Sequence, residues 1–321
     1  MRVETKSKAA AKKPDAHPNT WVYFDGEFAR YHDVKLGLMT HALHYGTACF
    51  EGIRAYWNAR QEQLHLLQAP AHYERMKRSA NVLRLQLPHT TEELVDITIE
   101  LLRRNQFKSD TYIRPLLYAA SEDIGVRFHN LRQGFFIYAI PFGKYVDIEA
   151  GIRCMVSTWR RVPDESIPVR AKVTGAYAQS ALAKTEAVEA GYDEAIVLTI
   201  EGSVSEGSAE NLFMYKDGTF VTPPVTDDIL EGVTRKLLIG MIQDELGKTV
   251  VERSIDRSEL YTCEELLLCG TGAQISPVVE VDRRIVGNGR VGEFTQELQS
   301  IYFGAVRGES QKHKDWTIPI Y

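Results

Sequence analysis

Lys172 sits in VRAKVTGAY, flanked by small and apolar residues rather than by other charges. A lysine in that setting is either a surface residue on a short strand or a desolvated amine. Burial disfavours the charged form of an amine, and a neutral amine can condense with a carbonyl. Downstream, SEGSAENLFMYKDGTFVTPPVTDDILEGVTRKLL begins rich in Gly, Ser and acid, and its end places Gly232-Val233-Thr234 at the start of a helical pattern. Exposed N–H groups at a helix N-terminus, with a hydroxyl beside them, make a seat for a phosphate. Cys269-Gly270-Thr271-Gly272 follows a short apolar run and offers a second set of N–H groups and a second hydroxyl. One lysine in apolar surroundings and two such loops suggest a phosphorylated aldehyde as cofactor, namely pyridoxal 5′-phosphate.

Other chemical signals are weaker. His41 and His44 in HALHYG have H-x-x-H spacing, but no nearby Cys or acid completes a ligand set, so no metal is expected. Cys269-Gly270-Thr271-Gly272 is not a G-x-G-x-x-G and comes late in the chain, whereas a dinucleotide fold opens with its fingerprint. Neither a G-x-S-x-G elbow nor a Walker loop is present.

The elements that must position these residues are those of an ordinary globular chain. At 321 residues it suggests two domains, at roughly 150 residues each. Hydrophobic residues are 44% and charged residues 25%, which argues against bulk disorder. The balance of 38 Lys+Arg against 43 Asp+Glu gives a net charge of -5, so a nucleic-acid partner is not expected. No apolar run approaches the roughly eighteen residues of a membrane helix. Cys49, Cys154, Cys263 and Cys269 are scattered without a C-x-x-C pair, which fits a reducing compartment. Residues 1–19 read as a solvated Lys/Ala/Pro tail without the apolar run of a secretory signal, so the expected location is the cytoplasm.

After the tail, Asp25-Gly26 between two aromatic-rich runs signals a hairpin, and Lys216-Asp217-Gly218 signals another. Ala69 to Leu85 has helical composition. Thr90-x-x-Glu93 reads as a capping box opening an amphipathic helix whose apolar stripe is Leu94, Val95, Thr98, Leu101 and Leu102. Strands are expected over Tyr112–Ala120 and Gly134–Pro141. The Gly/Lys/Asp stretch at 143–152 separates a first domain, 20–142, from a second, 153–321. The second half mixes strands (Glu194–Thr199, Leu212–Tyr215, Phe220–Thr222, Leu266–Cys269, Val278–Val281) with helices over Tyr177–Ala190, Val233–Leu246 and Gly292–Phe303. The fold class is α/β or α+β rather than a bundle or sandwich.

The ordered run EGSAENLF (206–213), FVT (220–222) and LEGVTR (230–235) resembles the signature of class IV aminotransferases, the fold-type IV pyridoxal-phosphate enzymes. HALHYGTACFEGIRAY (41–56), TYIRP (111–115), AKVTGAY (171–177) and CGTGAQISPV (269–278) resemble the branched-chain amino acid aminotransferases within it. The resemblance covers residues 20 to about 308. It implies a smaller N-terminal α/β domain and a larger C-terminal pseudo-barrel domain. It also implies a homodimer, or a higher homo-oligomer built from dimers, and small-molecule partners: amino acids and 2-oxo acids.

Site roles follow from the same resemblance. Lys172 matches the lysine that binds the cofactor's aldehyde and moves the proton at the substrate's Cα. Glu206 matches the carboxylate paired with the pyridine nitrogen, Tyr177 the phenol on the cofactor's O3′, and Arg75 the arginine on its phosphate. Leu230, Val233, Thr234 and Thr271 complete the cofactor set. Tyr45, Phe50, Gly52, Arg54, Tyr112, Arg114, Tyr145 and the Thr271–Gly272–Ala273 loop match the substrate pocket. Arg114 is the first choice, and Arg54 the second, for the γ-carboxylate of glutamate. Ile124 and Val126 match loop residues contributed by a dimer partner. Phe142 stands where close bacterial relatives commonly carry tryptophan, which leaves the donor preference open toward bulkier or non-standard donors. The implied reaction is branched-chain transamination with 2-oxoglutarate. The alternatives are a D-amino acid or (R)-amine transaminase or an aminodeoxychorismate lyase of the same fold. A regulatory cofactor-binding protein and an NAD-linked enzyme are more distant readings.

Overall fold

A computed structural model describes residues 19–143 and 149–321. The first two strands, β1 (Trp21–Phe24) and β2 (Glu27–Arg30), form the expected hairpin. Asp25 and Gly26 both take positive φ, 46° and 101°, as a two-residue turn matched to strand twist requires. A short helix α1 (His41–Tyr45) leads into β3 (Ala48–Phe50), β4 (Ile53–Asn58) and β5 (Gln63–Leu67). Helices α2 (Ala69–Val82) and α3 (Thr91–Asn105) follow, then the long antiparallel pair β6 (Thr111–Ala119) and β7 (Gln133–Pro141). The Thr90–Glu93 capping box is present, and Leu94, Val95, Thr98, Leu101 and Leu102 are all buried. Together α2, α3 and this sheet enclose one core.

Strand β7 ends at Pro141 and β8 (Ile152–Arg160) opens a second sheet. Helix α4 (Tyr177–Glu189) precedes β9 (Glu194–Leu198), β10 (Val204–Gly207), β11 (Asn211–Lys216) and β12 (Thr219–Thr222). Then come α5 (Val233–Asp244), β13 (Val250–Glu252), β14 (Glu265–Gly270), β15 (Gln274–Val281), β16 (Arg284–Ile285) and α6 (Glu293–Val306). The strand order β10-β9-β8-β15-β14-β11-β12-β13 mixes parallel and antiparallel pairs. Ile152, Ile196, Leu212, Leu268 and Val278, from five different strands, meet in one interior, so the sheet curls around a common core. Helix α4 packs outside on β8 and β9, while α5 and α6 cover β14 and β15.

The last strand departs from the expected division at 153. β17 (Thr317–Pro319) pairs with β5 and completes the first sheet. Ile320 is buried in the first core, and its carbonyl accepts from Arg103 Nε at 2.7 Å. The edge of β5 would otherwise present unpaired backbone groups, and nothing local to residues 317–319 announces that pairing. Among the described residues no helix is long and apolar enough to cross a membrane.

Candidate active site

Between the two sheets lies a cavity of about 510 Å³. One wall comes from strand alternation. Along β6, Thr111, Ile113 and Pro115 are buried while Tyr112 and Arg114 are half-buried and line the cavity. On β7 the same period brings Tyr138 and Ile140 to it, followed by Phe142. Tyr112 lies opposite Ile140 and Arg114 opposite Tyr138. The sequence reading named Phe142 but missed Tyr138 and Ile140, although a period of two along this strand puts all three on one face. Phe50 and Gly52 complete the wall. The Arg114 guanidinium stacks 4.4 Å from the Phe50 ring centroid, and its Nη2 donates to Tyr112 Oη at 2.7 Å.

Lys172 enters from the opposite side. Its backbone N–H donates to Ser79 Oγ at 3.0 Å and its carbonyl accepts from Phe50 N–H at 3.1 Å, which ties the segment against β3. The side-chain nitrogen Nζ lies 2.6 Å from Tyr177 Oη, at the first residue of α4. Glu206, on β10, is 4% exposed. Its Oε1 pairs with Arg161 Nη2 at 2.9 Å, and its Oε2 accepts from Asn211 Nδ2 and Leu230 N–H, each at 3.1 Å. Burial raises the pKa of Glu206, and the Arg161 charge opposes that rise. Arg161 lies 45 residues before Glu206, so no local pattern pairs them. Behind them Glu210, on the same cavity, has its pKa raised by burial and by the neighbouring Glu194 carboxylate.

The third region is rich in donors. Val233 and Thr234, at the start of α5, line the cavity, and among the described residues no side chain caps that helix. Gly232 is required there, since a Cβ would fall 2.0 Å from Asn211 Oδ1. Arg75, on α2, donates from Nε and Nη2 to Glu51, both at 2.7 Å, and from Nη1 to the Glu231 carbonyl at 2.9 Å. A guanidinium has five N–H donors, so two remain for a ligand. Glu51 also accepts from His72 at 2.8 Å. Glu51 and His72 escaped the sequence reading because an acid in a strand–turn segment carries no sign of its helix partners.

Several residues sit away from this cavity. Arg54 is buried, and its Nη atoms donate to the carbonyls of Phe142, Gly143, Thr271 and Gly272. It is therefore not the receptor for a substrate carboxylate that the sequence reading held in reserve. Tyr45 packs on His41, with ring centroids 4.5 Å apart, and does not line the cavity. Ile124 and Val126 are exposed at 83% and 88% and do not line it either. Ala273 is buried beside Thr271 and Gly272, which do. Tyr145 lies outside the described residues.

The Amino-transferase class IV family model matches residues 48–281. The chain belongs to the class IV aminotransferases. This aminotransferase is 48% identical over 301 residues to a probable branched-chain-amino-acid aminotransferase of Aquifex aeolicus, covering 94% of this chain and 97% of that one. A crystal structure of a branched-chain aminotransferase from Thermoproteus uzoniensis, with norvaline, superposes at a TM-score of 0.90 with 42% identity, covering 94% and 99%. A second crystal structure, of a branched-chain amino acid aminotransferase complexed with N-(5′-phosphopyridoxyl)-L-glutamate, gives 0.89 with 36% identity, again covering 94% and 99%. A third, from Thermobaculum terrenum in its PLP form, gives 0.90 with 31% identity, covering 95% and 99%. The two-domain fold-type IV expectation is met.

Proposed function

We propose that this aminotransferase passes the amino group of an L-branched-chain amino acid (leucine, isoleucine or valine) to 2-oxoglutarate. The products are the branched-chain 2-oxo acid and L-glutamate, and the resident cofactor is pyridoxal 5′-phosphate. The carrying observation is one guanidinium, Arg114, set among the apolar surfaces of Phe50, Ile140 and Phe142. An aliphatic side chain needs those walls, and glutamate's second carboxylate needs the cation within them. Relatives solved with norvaline and with a phosphopyridoxyl-glutamate conjugate accord with a site that takes both kinds of side chain.

The residues fit the cofactor. The two unspent Arg75 donors, the first-turn N–H groups of α5 and the hydroxyls of Thr234 and Thr271 would hold the phosphate. When bound, pyridoxal 5′-phosphate supplies an aldehyde that accepts an amine and a ring that withdraws electrons from Cα. Lys172 is assigned to hold that aldehyde and to move the proton at the substrate's Cα, with Tyr177 keeping its amine in place. Glu206 is assigned to the ring nitrogen, and Arg161, Asn211 and the Leu230 N–H fix the position of its two oxygens.

A homodimer accompanies this reading. Leu38, Leu43, Ile124 and Val126 are exposed apolar side chains on two segments joined by His41, whose Nε2 meets the Gly125 carbonyl at 2.8 Å. Apolar surface of that kind marks an interface, and Ile124 and Val126 are assigned to close the neighbouring subunit's cavity. The location is the cytoplasm, where four buried unpaired cysteines persist as thiols.

Titration of the holoenzyme's visible absorbance tests the function. L-leucine is expected to remove the cofactor band and 2-oxoglutarate to restore it. Loss of the band with D-alanine or (R)-1-phenylethylamine in place of L-leucine would make it one of the rival transaminases. Absence of any band after cofactor addition would overturn the assignment of Lys172.

A further inference from the structure

HALHYG holds two histidines that do not line the cavity. His44 is exposed, whereas His41, the first residue of α1, is 0% exposed. Its ring spends both nitrogens: Nδ1 meets Thr47 Oγ1 and Nε2 meets the Gly125 carbonyl, each at 2.8 Å. A peptide oxygen can only accept, so Nε2 carries the hydrogen of the second contact. The Thr47 hydroxyl can donate or accept, and completes the first. The His41 backbone N–H also donates to the Ser121 carbonyl at 2.9 Å.

On one side of this ring the backbone is tied to the frame of the site. Thr47 is buried, and its carbonyl accepts from Ala119 N–H, at the end of β6, at 3.0 Å. The Gly46 carbonyl accepts from Thr174 Oγ1 at 2.9 Å and from Gly175 N–H at 3.3 Å, on the segment that carries Lys172. On the other side is the loop from β6 to β7, residues 120–132, which contains no helix or strand. Its base is closed by Ala120 N–H on the Arg132 carbonyl at 2.7 Å and by Arg132 N–H on Ser121 Oγ at 2.6 Å. Its tip has only the internal pairing of Asp123 with Arg127 and the bond from His41. Among the described residues, that bond is the hydrogen bond tying the tip, 123–127, to another segment. The pinned carbonyl lies between Ile124 and Val126, whose side chains stand 83% and 88% exposed.

We propose that His41 is a positioning residue for the neighbouring subunit's substrate pocket: it pins Gly125 to the frame of its own subunit, so that Ile124 and Val126 are held out to the cavity next door. The proposal rests on the reading of this chain as a homodimer whose 124–126 loop closes that cavity. A loop without regular structure loses conformational freedom when it becomes a wall, and a bond that fixes it beforehand lowers that cost. The effect of His41 therefore falls on substrate affinity in the other subunit rather than on the chemistry at its own Lys172.

Two substitutions separate the two nitrogens. The amide of His41→Gln reaches as far along the side chain as Nε2 and can still donate to Gly125, whereas that of His41→Asn reaches only as far as Nδ1. His41→Asn should raise the KM for L-leucine about threefold to tenfold, the loss of one hydrogen bond, with kcat within about twofold of wild type; His41→Gln should stay within about twofold in both. Mixed dimers, co-expressed with two affinity tags, then locate the effect. A chain carrying only His41→Asn, paired with one carrying only Lys172→Ala, has its working site closed by an intact loop and should show the wild-type KM. A wild-type chain paired with one carrying both substitutions should show the raised KM. A KM that follows the working chain's own His41, equal values in the two mixtures, or no change in His41→Asn would overturn the role of His41. If His41→Asn does not fold, Thr47→Val, which releases the other ring nitrogen, goes through the same mixtures with the same outcomes. Val126→Ser in the same mixtures tests the underlying reading. If its effect does not follow the chain that donates the loop, the dimer reading falls and the role of His41 with it. If Val126→Ser acts across the dimer and His41→Asn does not, only the role of His41 falls.

Discussion

Glu51 is 0% exposed and sits between β3 and β4, where Arg75 grips both its oxygens at 2.7 Å and His72 Nδ1 approaches at 2.8 Å. Burial by itself would raise the pKa of Glu51. The charge of Arg75 and hydrogen bonds from Arg75 and His72 outweigh it and hold the carboxyl well below the usual carboxylate range. Burial lowers the pKa of His72, so the imidazole is neutral and Arg75 alone balances Glu51. Glu51→Gln preserves the shape and removes the charge. Removing one partner of a buried pair costs about 3–5 kcal/mol, because the other ion is left uncompensated. The cofactor's phosphate, bound at the two remaining Arg75 donors, would supply a replacement anion. The full loss is therefore expected in the cofactor-free protein and a smaller one in the holoenzyme. Urea unfolding of both forms reads the difference directly. The pH dependence has a definite sign, since the folded pKa is depressed. Glu51 contributes in full above its unfolded value, about 4.3, and the contribution fades as pH falls toward the folded value. The gap between wild type and Glu51→Gln should stay constant above about pH 5 and narrow below it. A variant as stable as wild type near neutrality, or one that gains no more from the cofactor than wild type does, would refute the reasoning.

Lys172→Ala is expected to reduce transamination to background while the cofactor's phosphate still binds, which equilibrium dialysis and single-turnover assays measure together. Arg114→Met should raise the KM for glutamate and 2-oxoglutarate about tenfold or more while sparing leucine, from the loss of about 1.5–3 kcal/mol in charged hydrogen bonds; equal losses for both substrates would remove Arg114 from that role. Gly52→Ala places a Cβ 2.4 Å from Tyr112 Oη, so the phenol must shift off Arg114 Nη2, now 2.7 Å away. Its glutamate-to-leucine ratio of kcat/KM should fall in the same direction as that of Arg114→Met. Val126→Glu introduces a charge at an 88% exposed apolar position and should shift sedimentation toward the monomer.

What the sequence determined by itself was everything that acts over a few residues. The Asp25-Gly26 and Asp217-Gly218 turns were legible because each needs consecutive positive φ, which few residues tolerate. The α3 stripe and its capping box were legible because both repeat at helical spacing. The boundaries of β6, β7 and α4 lie within one residue of expectation, because strand-forming and helix-forming composition also act locally. The ordered signature from Glu206 to Arg235 also set Lys172 and Glu206 apart, since chance seldom places acid, Gly and Thr in so long an ordered run.

Tertiary structure alone decided how distant segments divide the work. Arg54 and Arg114 look alike as single arginines on apolar strands. Their roles separate only because β4 turns Arg54 toward carbonyls 88 and 217 residues away, while β6 turns Arg114 into the cavity. The pairing of β17 with β5, the grip of Glu51 on Arg75 and that of Arg161 on Glu206 are likewise products of packing. A buried ion or an edge strand carries no local mark of its partner. Its free energy depends on which charge or backbone edge the fold brings within about 3 Å, and that distance exists only once both sheets are in place.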